Sequence, residues 1–242
     1  MRLPGVSSAA LALWAVLASV AAQAAAPLPE FNAAVEDAAS HNRVALGYLR
    51  TGNIDLAQLE LDRLRASWMA LVDKYGGNRP DVFDQTLYTT TLTDISLKIT
   101  AADMLMKSGR PEATQQSLTG IRDALSNLRR KSGVPVLADC VLDSNSAMAA
   151  LGELDRQPVD WSTGVAAKIE TTSAAYATEL RRCDEMAPDA VRSSAEFRRL
   201  IDGALASLAL VSKSIVERDG DLFHRVVIEL RSFDNLLTFR FG

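Results

Sequence analysis

The sequence predicts an all-α protein of about eight helices, paired as four antiparallel hairpins and packed as one elongated bundle or two adjoining ones. Three observations predict it. Apolar residues recur at alternating steps of three and four, the stripe of an amphipathic helix, and no segment sustains the period-two alternation of a strand. The composition is rich in helix formers, with aromatics at only 6% and few β-branched runs. Glycine and proline breakers fall where each stripe ends.

The elements follow in order. A first helix over 31–51 closes at Thr51-Gly52-Asn53. A second, 54–75, carries the stripe Ala57, Leu61, Leu64, Trp68, Leu71 and Tyr75, and stops at the loop Gly76-Gly77-Asn78-Arg79-Pro80. The third, 81–107, buries Leu92, Ile95, Ile99, Ala102 and Met106. Gly109 ends it and Pro111 opens the fourth, 111–131, with Leu118, Ile121, Leu125 and Leu128 inward. Gly133-Val134-Pro135 begins a longer irregular stretch, so the fifth helix spans 143–155, with Asp143-Ser144-Asn145 as its capping residues. The sixth runs over 161–186 after the Gln157-Pro158 break. The seventh, 190–218, starts at Asp189 and carries Phe197, Ile201, Ala204, Leu208, Val211 and Ile215. The eighth, 221–240, follows Asp219-Gly220-Asp221, and its Phe233 and Leu237 extend the stripe of Val226 and Leu230, so the Phe-rich end packs back onto the bundle.

The turn glycines Gly52, Gly109 and Gly220 imply a hairpin repeat of about 56 residues, and residues 120–133 echo 229–242 without gaps. The chain divides into one hairpin pair over 27–135 and a second over 136–242.

Ahead of these lies a targeting segment. Arg2 is the only charge before Glu30, Ala9–Ala22 is apolar, and Ala22-Gln23-Ala24 supplies small residues for a cut after Ala24, with Ala26 an alternative. That is the three-part pattern of a cleavable secretory signal peptide over 1–24, and the apolar run is shorter than the roughly 20 residues of a membrane span. Export to a periplasm is expected, with no membrane span after cleavage. Losing Arg2 moves the net charge from −4 to −5, which excludes a basic nucleic-acid binder.

Cys140 and Cys183 are the two cysteines. An oxidising compartment and an even count predict a structural disulfide between them, stapling the ends of the fifth and sixth helices.

Ala45, Tyr48, Gly52-Asn53, Ala57, Leu61 and Leu64 resemble the packing and turn positions of a tetratricopeptide-type hairpin. The likeness covers about 20 residues, recurs more weakly over Ala102–Ile121, and lacks the expected proline at Met69. The outline of an exported helical bundle is also similar to cytochrome c′-type and imelysin-like proteins. The C-x-x-C-H haem motif of the first is absent, and His41 is followed by Asn42-Arg43-Val44 in place of the His-x-x-Glu of the second. Neither family's functional residues carry over.

Chemistry-bearing motifs are sparse. No nucleophile elbow, phosphate loop or dinucleotide fingerprint occurs. His41 and His224 are weak metal-ligand candidates, and each is first a packing or surface residue. Arg129-Arg130-Lys131 reads as charge complementing a helix C-terminus. The expectation is a non-enzymatic exported protein that binds or scaffolds an exported protein or peptide, with no cofactor. The alternative is a bundle handling metal or non-covalent haem through His41 or His224.

Overall fold

Local chemistry sets the helix boundaries. In the computed structural model, which describes residues 26–156 and 158–242, the helices are α1 (Leu28–Arg50), α2 (Ile54–Tyr75), α3 (Gln85–Lys107), α4 (Pro111–Lys131), α5 (Leu137–Gly152), α6 (Thr163–Met186), the single turn α7 (Asp189–Arg192), α8 (Ala195–Glu217) and α9 (Gly220–Phe241). The segment read as a signal peptide lies outside the described residues. Gly52, Gly109 and Gly133 take positive φ, which lets the chain reverse after α1, α3 and α4. After α1, Asn53 N–H donates to Tyr48 O and Gly52 N–H to Leu49 O, the paired bonds of a Schellman ending. Asp84, Ser194 and Asp219 accept from Leu87, Phe197 and Leu222 N–H and so cap α3, α8 and α9.

Three boundaries differ most from the sequence expectation. α3 starts at Gln85, because Asp81–Phe83 forms a turn that drops Phe83 into the core. α5 starts at Leu137, because Asp139 reaches back to accept from Val136 N–H at 2.9 Å. Cys140 therefore lies inside the first turn of α5, and Asp143, Ser144 and Asn145 point from its body. The predicted seventh helix breaks at Ser193, and Ser194 caps a fresh start.

The fold is all-helical among the described residues, with neighbouring helices in antiparallel pairs. Helix α1 packs on α2, α2 on α3, α3 on α4, and α4 returns to α1. Downstream, α5 packs on α6, α6 on α8, α8 on α9, and α9 returns to α5. The buried apolar side chains accordingly form two clusters, one drawn from Ala26–Leu128 and one from Leu137–Leu237. Each buried Leu, Ile or Phe contributes roughly 1.5–3 kcal/mol over its exposed state. In the first cluster Phe31 packs against the rings of Tyr75, Phe83 and Tyr88 with centroids 5.4–5.6 Å apart, and Tyr88 Oη donates to Tyr75 O. In the second, Phe241 meets Phe197 edge-on at 5.2 Å, so the Phe-rich end folds back onto the bundle.

Cys140 and Cys183 are bonded, with Cα atoms 5.4 Å apart. No described helix is long and apolar enough to cross a membrane.

Candidate functional site

The stripe of α1 that carries Val35, Ala39, Asn42, Arg43 and Leu46 lies at the edge of its own bundle, with Val35 in that bundle's core and Leu46 packed against it. It turns toward the end of α9, and the two bundles meet there. Between them lies a cleft of about 600 Å³, closed on the other sides by α4, the start of α5 and the Pro188–Val191 segment. Its walls are mainly apolar, with Val35, Leu46, Leu125, Leu137, Val191 and Phe239 among them. This volume lies within the roughly 300–1,000 Å³ of small-molecule sites.

Five arginines line the cleft, and three of them, Arg43, Arg122 and Arg129, make the contacts that join its walls. Arg43, only 9% exposed, donates from Nε to Phe239 O (3.1 Å), from Nη1 to Gly242 O (2.5 Å) and from Nη2 to Glu36 (2.5 Å). A cation on the last carbonyls of α9 complements the negative end of that helix and ties the bundles together. Arg129 makes a two-pronged pair with Asp139, at 2.8 and 2.6 Å, with both side chains buried. Removing one member of such a pair costs about 3–5 kcal/mol, because the other is left charged and unpaired. The run Arg129-Arg130-Lys131 thus does more than complement a helix dipole. Arg129 holds α4 to α5, and Arg130 joins Arg182 on Asp143.

Arg122 is different. Its Nη1 donates to the neutral amide oxygen of Asn145 at 2.7 Å and its Nη2 to Ala138 O at 3.4 Å. Its buried Nε has no hydrogen-bond partner. Burial pulls its pKa down to about 10, against the attraction of Asp234 and Asp123, and the positive charge of Arg43 adds to the lowering. Asn42 is 4% exposed and donates from Nδ2 to Leu118 O at 3.2 Å, while its Oδ1 is buried without a partner. Buried polar atoms are normally paired, so these two, sealed from solvent behind the cleft wall, are exceptions.

Beneath Arg122, Asn145 donates to Asp234 (2.8 Å) and to Thr238 Oγ1 (2.7 Å), and Ser144 donates to Asp234 (3.3 Å). Residues expected to cap α5 instead build a buried polar network with α9.

The two histidines are not brought together. His41 Nδ1 lies 2.7 Å from Glu60 Oε2 on α2, and His224 Nδ1 lies 2.9 Å from Asp155 Oδ2 after α5. Arg43 anchors the His41 region at Phe239, fifteen residues along α9 from His224, or roughly 22 Å at the helical rise. Among the described residues no group of three or more His, Cys, Asp or Glu side chains is placed to hold a metal ion.

Sequence reasoning missed the cleft. Its signal was present as Arg122 and Arg129, seven apart on one face of α4, and as the polar pair Asn42-Arg43 within an otherwise amphipathic α1. A comparison of the chain with protein-family models, curated proteins and solved structures finds no match.

Proposed function

We propose that this protein is an exported, non-enzymatic binding protein and that its ligand seat is the cleft between the two bundles. The observation that carries this reading is the roughly 600 Å³ apolar cleft, walled by both bundles and lined by a few polar side chains, Asn42, Arg43, Arg122 and Arg129 among them. A pocket of mostly apolar surface with a few convergent polar groups is the usual form of a ligand site. The secretory pattern of residues 1–24 and the Cys140–Cys183 bond support placement in an oxidising exported compartment.

Native mass spectrometry on protein recovered from the periplasm of an expressing Gram-negative cell tests the reading. The wild-type protein is expected to carry a bound mass. The Ala39→Trp variant, which fills the cleft from its half-buried α1 wall, is expected to lose it while keeping its helical signal. Bare masses for both folded proteins would sink the proposal, and so would recovery of the chain from the cytoplasm alone.

A further inference from the structure

Resting on the cleft as a ligand seat, we infer that its ligand is a single-chain lipid. One unbranched hydrocarbon chain lies along the seam of α1 and α4, and its polar head stays in water at the Arg50 end.

The seam sets the shape. Helices α1 and α4 run antiparallel, and Asn42 Nδ2 on Leu118 O fixes their register. Arg50 and Gln115 therefore share one end of the cleft, and Asn32 and Arg129 share the other. On α4 the lining runs from Gln115 to Arg129, roughly 21 Å at the helical rise. Spread over that length, a volume of about 600 Å³ has a mean cross-section of about 30 Å². A methylene takes up about as much room as a water molecule, roughly 30 Å³. It advances an extended chain of 1.52 Å bonds by about 1.25 Å, so the chain is about 24 Å² across and fits. An extended peptide takes about 47 Å², the strand spacing times the sheet spacing, and is too thick. Length alone admits about seventeen carbons. Volume alone admits about twenty heavy groups, head included.

Charge leaves the interior to hydrocarbon. Arg43 is held by Glu36, Arg129 by Asp139 and Arg240 by Glu196. Arg122 donates to Asn145 and has the attraction of Asp234 and Asp123. Its Nε, like Asn42 Oδ1, is sealed from solvent and offers a ligand nothing. What the cleft presents is the apolar surface of Val35, Leu46, Leu125, Leu137 and Phe239. An ionised group placed among these would lose its hydration without replacement. Burial of apolar surface is the force that remains.

The two ends of the cleft differ. Arg129 and Leu137 are buried at one end, which the Arg129–Asp139 pair closes. Arg50 and Thr119 are exposed at the other, and the head emerges there. An exposed pair between Arg50 and an acidic head contributes at most about fivefold in affinity, so the chain and not the head sets the strength of binding.

Native mass spectrometry of the ligand-stripped full chain in an equimolar mixture of saturated fatty acids of ten to eighteen carbons is the test. A fully buried methylene contributes about fourfold. Occupancy should therefore rise at least threefold with each added pair of carbons up to sixteen, and then stop rising. Monohexadecanoylglycerol and hexadecanoyl lysophosphatidylethanolamine, tried singly, should bind within about fivefold of hexadecanoate, and a dihexadecanoyl phospholipid should not bind. The mass carried by protein from the periplasm then shows which head the cell supplies. Asn32→Trp fills the closed end and should move the preferred length to twelve carbons or fewer, with Ala138→Leu at the same end giving a smaller shift in the same direction. A variant that was merely destabilised would lose all lengths alike. Ala39→Trp should lose them all while staying folded, which chemical unfolding checks.

Binding without a chain-length preference, tighter binding of the two-chain lipid, or a head preference well over fivefold would overturn the single-chain assignment. If that binding is lost in Ala39→Trp, the cleft reading is left intact. Binding of a tetrapeptide with no fatty acid bound would overturn the assignment in favour of a peptide. If no lipid binds while protein from the periplasm carries another mass, the ligand class is wrong and the seat stands. If no lipid binds and no mass is found, both fall.

Discussion

Burial of the Asp234 carboxyl raises its pKa above the ordinary 3.8, although Asn145 and Ser144 donate to it and the charge of Arg122 pulls the other way. The sign of the linkage follows. A carboxyl with a raised folded pKa holds a proton in the native state where the unfolded chain has released it. Its contribution to stability is complete below pH 3.8 and is lost as pH rises through the folded value. Asp234→Asn keeps the shape, can accept from Asn145 and can donate to Ser144 Oγ, and does not titrate. Urea unfolding of both proteins between pH 3.8 and 7 should show the Asn variant gaining on the wild type as pH rises. A gap that stays constant across that range would mean Asp234 titrates as an ordinary carboxylate. This network was not legible in the sequence. Asp143, Ser144 and Asn145 have the composition of a cap, and only the earlier start of α5, set by Asp139 reaching Val136, turns Ser144 and Asn145 toward α9. Propensity places such residues near helix starts. It does not say which of two candidate starts the chain uses.

At the scale of the elements, the turns show where local rules held and where they bent. Gly52 and Gly109, expected to end helices, do so with positive φ. Gly220, expected to play the same part, is instead the first residue of α9, and the left-handed residue of the α8–α9 turn is Arg218, at φ 51°. Its neighbours complete the same ending, with Asp219 N–H on Ser214 O at 2.9 Å. A non-glycine residue there bears a cost of about 1–2 kcal/mol, partly offset by the greater unfolded-chain entropy of glycine. Arg218→Gly is therefore expected to raise stability by about 0.5–1 kcal/mol, read as a higher urea midpoint at unchanged slope. A lower midpoint would show that the Arg218 side chain contributes more than its backbone loses. The sequence made the turn legible, because the apolar stripes stop on either side of it. It did not identify the strained residue, because one glycine two positions away looked sufficient.

For the whole molecule, the all-helical order of adjacent helix pairs was written in the spacing of breakers, whereas the cleft was not. Stripes record which face of a helix is apolar, but α1 has a second, mixed face that meets α9 almost two hundred residues away. No local pattern encodes that meeting. Two separate apolar clusters joined through Arg43, Arg129 and the α1–α9 contact have a measurable consequence. The Cys140–Cys183 bond closes a loop with a sequence separation of 43, and both cysteines belong to the second cluster. Removing such a cross-link costs about 4 kcal/mol in the chain-entropy account. If each cluster is its own cooperative unit, reduction should lower amide-exchange protection in α5, α6, α8 and α9 and leave the most protected amides of α1 to α4 unchanged. The paired substitution Cys140→Ala with Cys183→Ala should reproduce the pattern without reductant. A uniform loss across all the helices would mean that the buried Arg129–Asp139 pair and the grip of Arg43 on α9 couple the bundles into one unit. In that event the cleft could not open without unfolding, and the proposed ligand would have to enter with the two bundles still joined.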